Sequence, residues 1–302
     1  MTPNEQKKTV EMESIGESYT VWTHKSGLTV FHIPKNRSET YALLAVRFGS
    51  NDGRFRSSEN APVTVLPDGT AHFLEHKMFE EPDGTDAFSL YAQSGAFANA
   101  FTSRDATCYL FSCTEGFEDN LRILLHSVTS PYFTKETVEK ELDIIGEEID
   151  MHACAPGETV HRNLLRALYH VCPVRNEIAG TRESISEMTP DLLYGCADAF
   201  YRPSNMSLTV VGNADPEAVD RICDEFLPAE GKPMTAETLP EEEPESVFQT
   251  RVEEESEIAQ PLIAVGFKAP VPDSPERDML VSAANAVNMQ LLFSRSGDFF
   301  NR

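Results

Sequence analysis

Apolar, β-branched and aromatic residues crowd two short segments, 19–25 and 28–34, with Ser26 and Gly27 between them, and an apolar run at 41–48 closes on Gly49. This pattern predicts a hairpin feeding a third strand. After a polar, Pro- and Gly-containing loop at 53–70, the spacing changes to a helical one over 71–79 and again over 85–94, where Gly95 follows as a stop. Two further strands are expected at 97–102 and 107–113. Helical spacing then dominates 116–128, 134–154 and 158–170, with Thr134 as the N-cap and Pro156 as the terminator of the longest helix. A helix near 190–199, a strand at 206–211 and a helix at 216–226 complete the first body of the chain.

Strands followed by clusters of helices predict an α+β fold, a mostly antiparallel sheet with helices packed on it. At 227–246 the pattern breaks, with Pro228, Gly231, Pro233, Pro240 and Pro244 set among acidic residues. The expected division is therefore a first domain at 1–226, an acidic Pro-rich linker at 227–246, and the start of a second domain at 247–302. In that last part, strands are expected at 247–253 and 261–269 and a helix at 276–293.

Composition narrows the function classes. The net charge of −24 over 302 residues would repel phosphate backbones and anionic lipid. Neither nucleic acid nor membrane is an expected partner. The first twenty residues lack the apolar centre of a signal peptide, so the expected location is the cytoplasm. The six cysteines form no C-x-x-C pair, which predicts free thiols rather than disulfides or a zinc ribbon.

The chemistry lies in His72-Phe73-Leu74-Glu75-His76. On a helix, positions 72 and 76 are one turn apart on one face and 75 lies beside them. Two imidazoles can then hold one metal while the carboxylate reaches its open coordination position. H-x-x-E-H is the inverse of the commoner H-E-x-x-H peptidase motif. A third ligand is needed, and the 134–154 helix offers Glu141, Glu147 and Glu148. At about 100° per residue the apolar stripe Val138, Leu142, Ile145, Ile149 spans about 60°, and Glu141 and Glu148 flank it while Glu147 lies nearly opposite. Glu147 is expected in solvent, and Glu141 and Glu148 at the border of the core. His24, His32, His126, His152, His161 and His170 show no ligand spacing with this motif and are expected at surface or satisfied core positions.

The stretches HFLEHKMFE, GAFANAFTSRDATCYLF, PYFTKETVEKELDIIGEEIDMH and FYRPSNMSLTVVGNADPE, in that order, resemble the pitrilysin/insulinase family of zinc peptidases. The likeness is greatest to a bacterial branch that includes peptidases associated with antilisterial bacteriocin (subtilosin) production. It implies a zinc metalloendopeptidase with one Zn²⁺ per chain, His72, His76 and Glu148 as ligands, Glu75 as general base and Glu141 as the carboxylate orienting a ligand histidine. It further implies that Asn99, Ala100, Phe101 and Thr102 form a sheet edge on which an extended peptide substrate adds as a strand. Two similar domains enclosing a chamber are implied too. So is a homodimer, or a heterodimer with a paralogous subunit or a C-terminal half, the second domain bringing an Arg and a Tyr that this chain lacks. The rival expectations are a non-catalytic assembly subunit and a zinc hydrolase of a non-peptide substrate.

Overall fold

The computed structural model describes residues 7–231, 233–269 and 273–294. The N-terminal strands β1 (Lys8–Met12), β2 (Glu17–Thr23), β3 (Thr29–Pro34) and β4 (Thr40–Val46) lead into two short strands, β5 (Arg54–Arg56) and β6 (Val63–Val65). Then come α1 (Thr70–Lys77), α2 (Ala87–Gln93), β7 (Phe97–Thr102) and β8 (Thr107–Cys113). Helices α3 (Phe117–Thr129), α4 (Lys135–Ala153), α5 (Pro156–Leu168), α6 (Arg182–Ile185) and α7 (Pro190–Phe200) follow, then β9 (Met206–Gly212), α8 (Pro216–Phe226), β10 (Glu237–Thr238) and α9 (Pro275–Phe293).

The main sheet has the order β1-β2-β3-β9-β4-β8-β7, antiparallel except for the β3–β9 pair, so β7 lies at its edge. Its central strands alternate strictly. In β4 and β9 every second residue is buried, and Ala42, Leu44, Val46, Leu208 and Val210 form one apolar face. Helices pack on that face. The rings of Phe48 and Phe200 stack at 4.2 Å, joining the end of the β4 segment to α7. The expected α+β class and mainly antiparallel sheet are what the structure shows.

Helix α1 passes through the interior rather than lying on the surface, and every residue of it except His76 is buried. Burying a helix that carries two histidines and a glutamate costs free energy unless those groups are partnered. Its entry is set by Gly69, whose φ of 93° lies in the left-handed region, and a Cβ at this position would sit 2.5 Å from the carbonyl oxygen of Ala179. Only glycine meets both demands. Gly69→Ala is therefore expected to destabilise the fold by about 1–3 kcal/mol, measured by urea unfolding. An unchanged midpoint would show that the 177–181 turn yields instead.

Three expectations are corrected. The 53–70 loop contains β5 and β6, which form a small second sheet with β10 from within the stretch expected as a linker. That stretch lies back on the first body: Gly231 N–H donates to Lys25 O at 3.1 Å, and the Glu243 carboxylate accepts the backbone N–H groups of His170, Val171 and Cys172. Partial desolvation opposes ionisation of Glu243, but these three donors and the Lys268 ammonium hold its pKa down at about 2. Third, residues 247–253 and 261–269 are not strands, although their sequence suggests it. Ile263, Val265 and Phe267 are 86%, 74% and 89% exposed, and a strand needs a ladder partner that these segments do not have among the described residues. Helix α9 forms where expected, with Met279, Leu280 and Leu291 exposed.

Candidate active site

Helix α1 lies between the edge strand β7 and helix α4. Helix α4 starts at a capping box, in which Thr134 Oγ1 accepts from Thr137 N–H and Thr137 Oγ1 accepts from Thr134 N–H. It buries Val138 and Ile145 against the core and leaves Glu147 exposed, while Glu141 and Glu148 lie at the border facing α1. Gly146 sits on this helix opposite Arg182, which pairs with Asp150 and packs where a side chain at 146 would be. The helical geometry thus turns two carboxylates, seven residues apart, toward the α1 histidines.

His72, His76 and Glu148 each offer one donor atom, all lying within 4.8 Å of one another. Glu148 straddles the pair: Oε1 is 3.6 Å from His72 Nε2, and Oε2 is 3.7 Å from His76 Nε2. Tetrahedral zinc with bonds of about 2.0–2.1 Å holds its ligand atoms about 3.3 Å apart, so this donor set fits zinc in chemistry and closely in spacing. His76 Nδ1 lies 2.9 Å from Glu141 Oε1, an arrangement that fixes the imidazole with Nε2 toward Glu148. His72 Nδ1 is buried and has no such partner among the described residues.

The charges favour a cation. Three carboxylates, Glu75, Glu141 and Glu148, surround two imidazoles. Burial works against charging His76, but the Glu141 hydrogen bond and the nearby charges of Glu75 and Glu148 outweigh it and raise its pKa. For Glu148 the interaction with His72, against an opposing desolvation, lowers the pKa below the usual carboxylate value. Glu75 is 7% exposed, and its Oε2 accepts a hydrogen bond from Thr102 Oγ1 at 2.6 Å. Beside Glu75 and His76 opens a cavity of about 390 Å³, lined in part by Phe79, Phe88, Asn99 and Ala100.

The structure therefore gathers His72, Glu75, His76, Glu141 and Glu148 into one site, bordered by β7. Along β7, the residues Phe97, Asn99 and Phe101 are exposed, whereas Ala98, Ala100 and Thr102 turn inward. His152 is exposed, as expected of a surface histidine, and it also reaches the edge of the site. Its Nε2 is 3.6 Å from Glu148 Oε1, and its Nδ1 lies 2.7 Å from Glu158 Oε2. The signal was in the sequence, because 152 is one helical turn beyond 148 on α4.

Two outcomes follow from this geometry. Glu148→Gln is expected to weaken zinc binding strongly and Glu147→Gln hardly at all, as read by competition with a chromophoric chelator. Equal effects would overturn the helix-face assignment. Glu141→Gln, which removes the charge behind His76, is expected to cost about 10- to 100-fold in zinc affinity.

An inverted H-x-x-E-H helix buried beside a sheet edge, with a carboxylate from a second helix completing the donor set, defines a zinc-protease-like protein. Comparison with known proteins agrees. Residues 66–182 match the family described as Insulinase (Peptidase family M16), and residues 187–301 match the Peptidase M16 inactive domain. The chain belongs to the M16, or insulinase, peptidase family. It is 42% identical over 279 residues to the uncharacterized zinc protease YmfH of Bacillus subtilis strain 168, a match covering 90% of this chain and 64% of YmfH. It is 30% identical over 192 residues to AlbF of the same organism, a match covering 63% of this chain and 44% of AlbF. Among solved structures, an M16-like peptidase from Alicyclobacillus acidocaldarius superposes with a TM-score of 0.72 at 40% identity, covering 77% of this chain and 55% of that one. A protease from Helicobacter pylori shares the fold at 20% identity, with a TM-score of 0.64 over 76% of this chain and 55% of that one. The chain thus spans just under two thirds of YmfH and little more than half of either solved relative. No described helix is long and apolar enough to cross a membrane.

Proposed function

We propose that the protein is the catalytic half of a zinc-dependent endopeptidase that hydrolyses small, unfolded peptides. The observation that carries this reading is the convergence of His72, His76 and Glu148 within 4.8 Å, with Glu75 on the same buried helix. One zinc ion, held by those three side chains, would supply Lewis-acid polarisation of the scissile carbonyl and make a water acidic enough to be deprotonated near neutral pH.

The rest of the chemistry belongs to the chain. Glu75 takes the proton of the attacking water as the new C–O bond forms at the peptide carbonyl. It then delivers that proton to the amide nitrogen as the C–N bond breaks, so no covalent acyl-enzyme is needed. The free edge of β7 offers main-chain N–H and C=O groups to an extended peptide, with Asn99 and Phe101 exposed along it. The cavity beside Glu75 receives one substrate side chain, and Phe79 and Phe88, with ring centroids 4.3 Å apart, give it an apolar wall. A folded protein could not lay a free strand along this edge, which favours short or unfolded substrates.

Positioning of the carbonyl and stabilisation of its developing oxyanion are assigned to a partner: a second copy, a paralogous subunit or a C-terminal half. Loss of one such donor typically slows hydrolysis by about 10²- to 10³-fold. The test is cleavage of a quenched fluorescent peptide library by the zinc-loaded chain, alone and mixed with a separately expressed C-terminal half, beside a panel of simple esters. Peptide turnover that rises on mixing supports the reading. Ester turnover without peptide turnover would point to a non-peptide hydrolase, and zinc binding without any turnover in either mixture would point to an assembly subunit.

A further inference from the structure

Thr102 is the last residue of β7, and on sequence grounds it belongs to the substrate edge. Its side chain has a different commitment. Residues alternate in and out along β7, and at 102 the side chain turns inward, toward α1. There Thr102 Oγ1 donates to Glu75 Oε2 at 2.6 Å.

Neither end of this hydrogen bond is free to drift. Glu75 lies on a helix buried on nearly all sides. Thr102 pairs with Thr107 across a tight hairpin, and Ser103 N–H donates to Ala106 O at 2.7 Å. The hairpin tip is clamped by Ser50 N–H to Ser103 O at 3.1 Å and by Asn51 N–H to Arg104 O at 2.8 Å. That clamp requires a residue without a side chain at 49, where a Cβ would lie 2.5 Å from the Arg104 carbonyl carbon. On the partner strand, Thr107 Oγ1 donates to Phe48 O at 2.9 Å. β-Branching at Thr102 further limits its χ1 rotamers, so the hydroxyl is presented in one direction.

We propose that Thr102 is a positioning residue for Glu75: its hydroxyl holds one carboxylate oxygen so that the other is aimed at the attacking water. The inference rests on Glu75 acting as the general base. A carboxylate held by one short hydrogen bond loses the rotational freedom of its terminal torsion, which is otherwise broad. Proton transfer depends on that aim, because small misplacements of reacting groups carry large rate penalties. The same residue lies in the strand on which the substrate backbone is laid. Substrate register and base orientation are thus fixed by one hairpin.

The experiment compares Thr102→Val, Thr102→Ser, Glu75→Gln and the Thr102→Val/Glu75→Gln double variant, in the zinc-loaded form of the protein that turns over peptide, whether the chain alone or the chain with its complement. Thr102→Val keeps the shape and β-branch but removes the donor. It is expected to lower kcat by about 10- to 10²-fold with KM within about twofold, the scale of a lost hydrogen bond to a charged group, at unchanged zinc content and thermal midpoint. Thr102→Ser is expected to recover most of kcat, and in the Glu75→Gln background Thr102→Val should have no further effect. A crystal structure of Thr102→Val should show the Glu75 carboxylate in more than one orientation. Wild-type kcat in Thr102→Val beside an inactive Glu75→Gln would overturn the positioning role alone, as would equal losses in the Val and Ser variants. An active Glu75→Gln would overturn the assignment of the base on which the inference rests.

Discussion

Glu75→Gln should retain zinc and fold normally while losing peptide hydrolysis by at least about 10²-fold, the lower end of what a positioned general base supplies. The amide keeps the volume of the carboxylate in a position only 7% exposed, so the α1 packing is preserved. Its oxygen can still accept the Thr102 hydrogen bond, so the hairpin is undisturbed as well. What the amide cannot do is take up a proton and release it again. The loss should therefore fall on kcat, with zinc stoichiometry by elemental analysis and the thermal midpoint unchanged. Retained turnover in Glu75→Gln would remove Glu75 from the chemistry. The carboxylates beside it are already committed, Glu141 to His76 and Glu148 to the space between the two histidines, so neither stands ready to replace it as the base.

How much of this was legible in the sequence depends on whether the determining contact is local. The 72–76 motif lies within one helical turn, and its geometry follows from the period of the helix. The facing of α4 follows from periodicity also: Val138 and Ile145 are buried and Glu147 is exposed, as the apolar stripe requires. The β7–β8 hairpin was legible because its two strands are adjacent in the chain. The sheet of β5, β6 and β10 was not. Glu237–Thr238 is short and polar, and becomes a strand only because Arg54–Arg56, some 180 residues away in sequence, lies alongside. The converse error occurred at 261–269, where alternating Ile263, Val265 and Phe267 look like a strand but have no ladder partner among the described residues. His152 could have been found by carrying the i, i+4 test forward from Glu148. The Thr102 hydroxyl could not, because its direction depends on how the β7 hairpin meets a helix distant in sequence.

Replacing His72 by Ala should abolish stoichiometric zinc, and His76→Ala should do the same. Each change leaves two of the three side chains assigned to the metal, and metal held by two side chains exchanges readily with solvent. The two variants should nevertheless differ in stability. His72 is 9% exposed within the core-facing side of α1; its Nδ1 has no hydrogen-bond partner among the described residues, and the Glu148 carboxylate facing its Nε2 keeps His76 and His152 beside it, so its removal leaves a small cavity and a carboxylate that still has partners. His76 is bonded to Glu141, a carboxylate with a side chain only 14% exposed. His76→Ala strands that charge, and leaving a partly buried carboxylate without its partner costs more than the lost contact itself. In metal-free protein, then, His76→Ala should be the less stable of the two by urea unfolding, and Glu141→Gln in the His76→Ala background should restore part of the loss. Full zinc occupancy in either single variant would overturn the ligand assignment. Equal stabilities, with no recovery in the double variant, would instead show that Glu141 finds water once His76 is gone and that its role is confined to the metal-bound state.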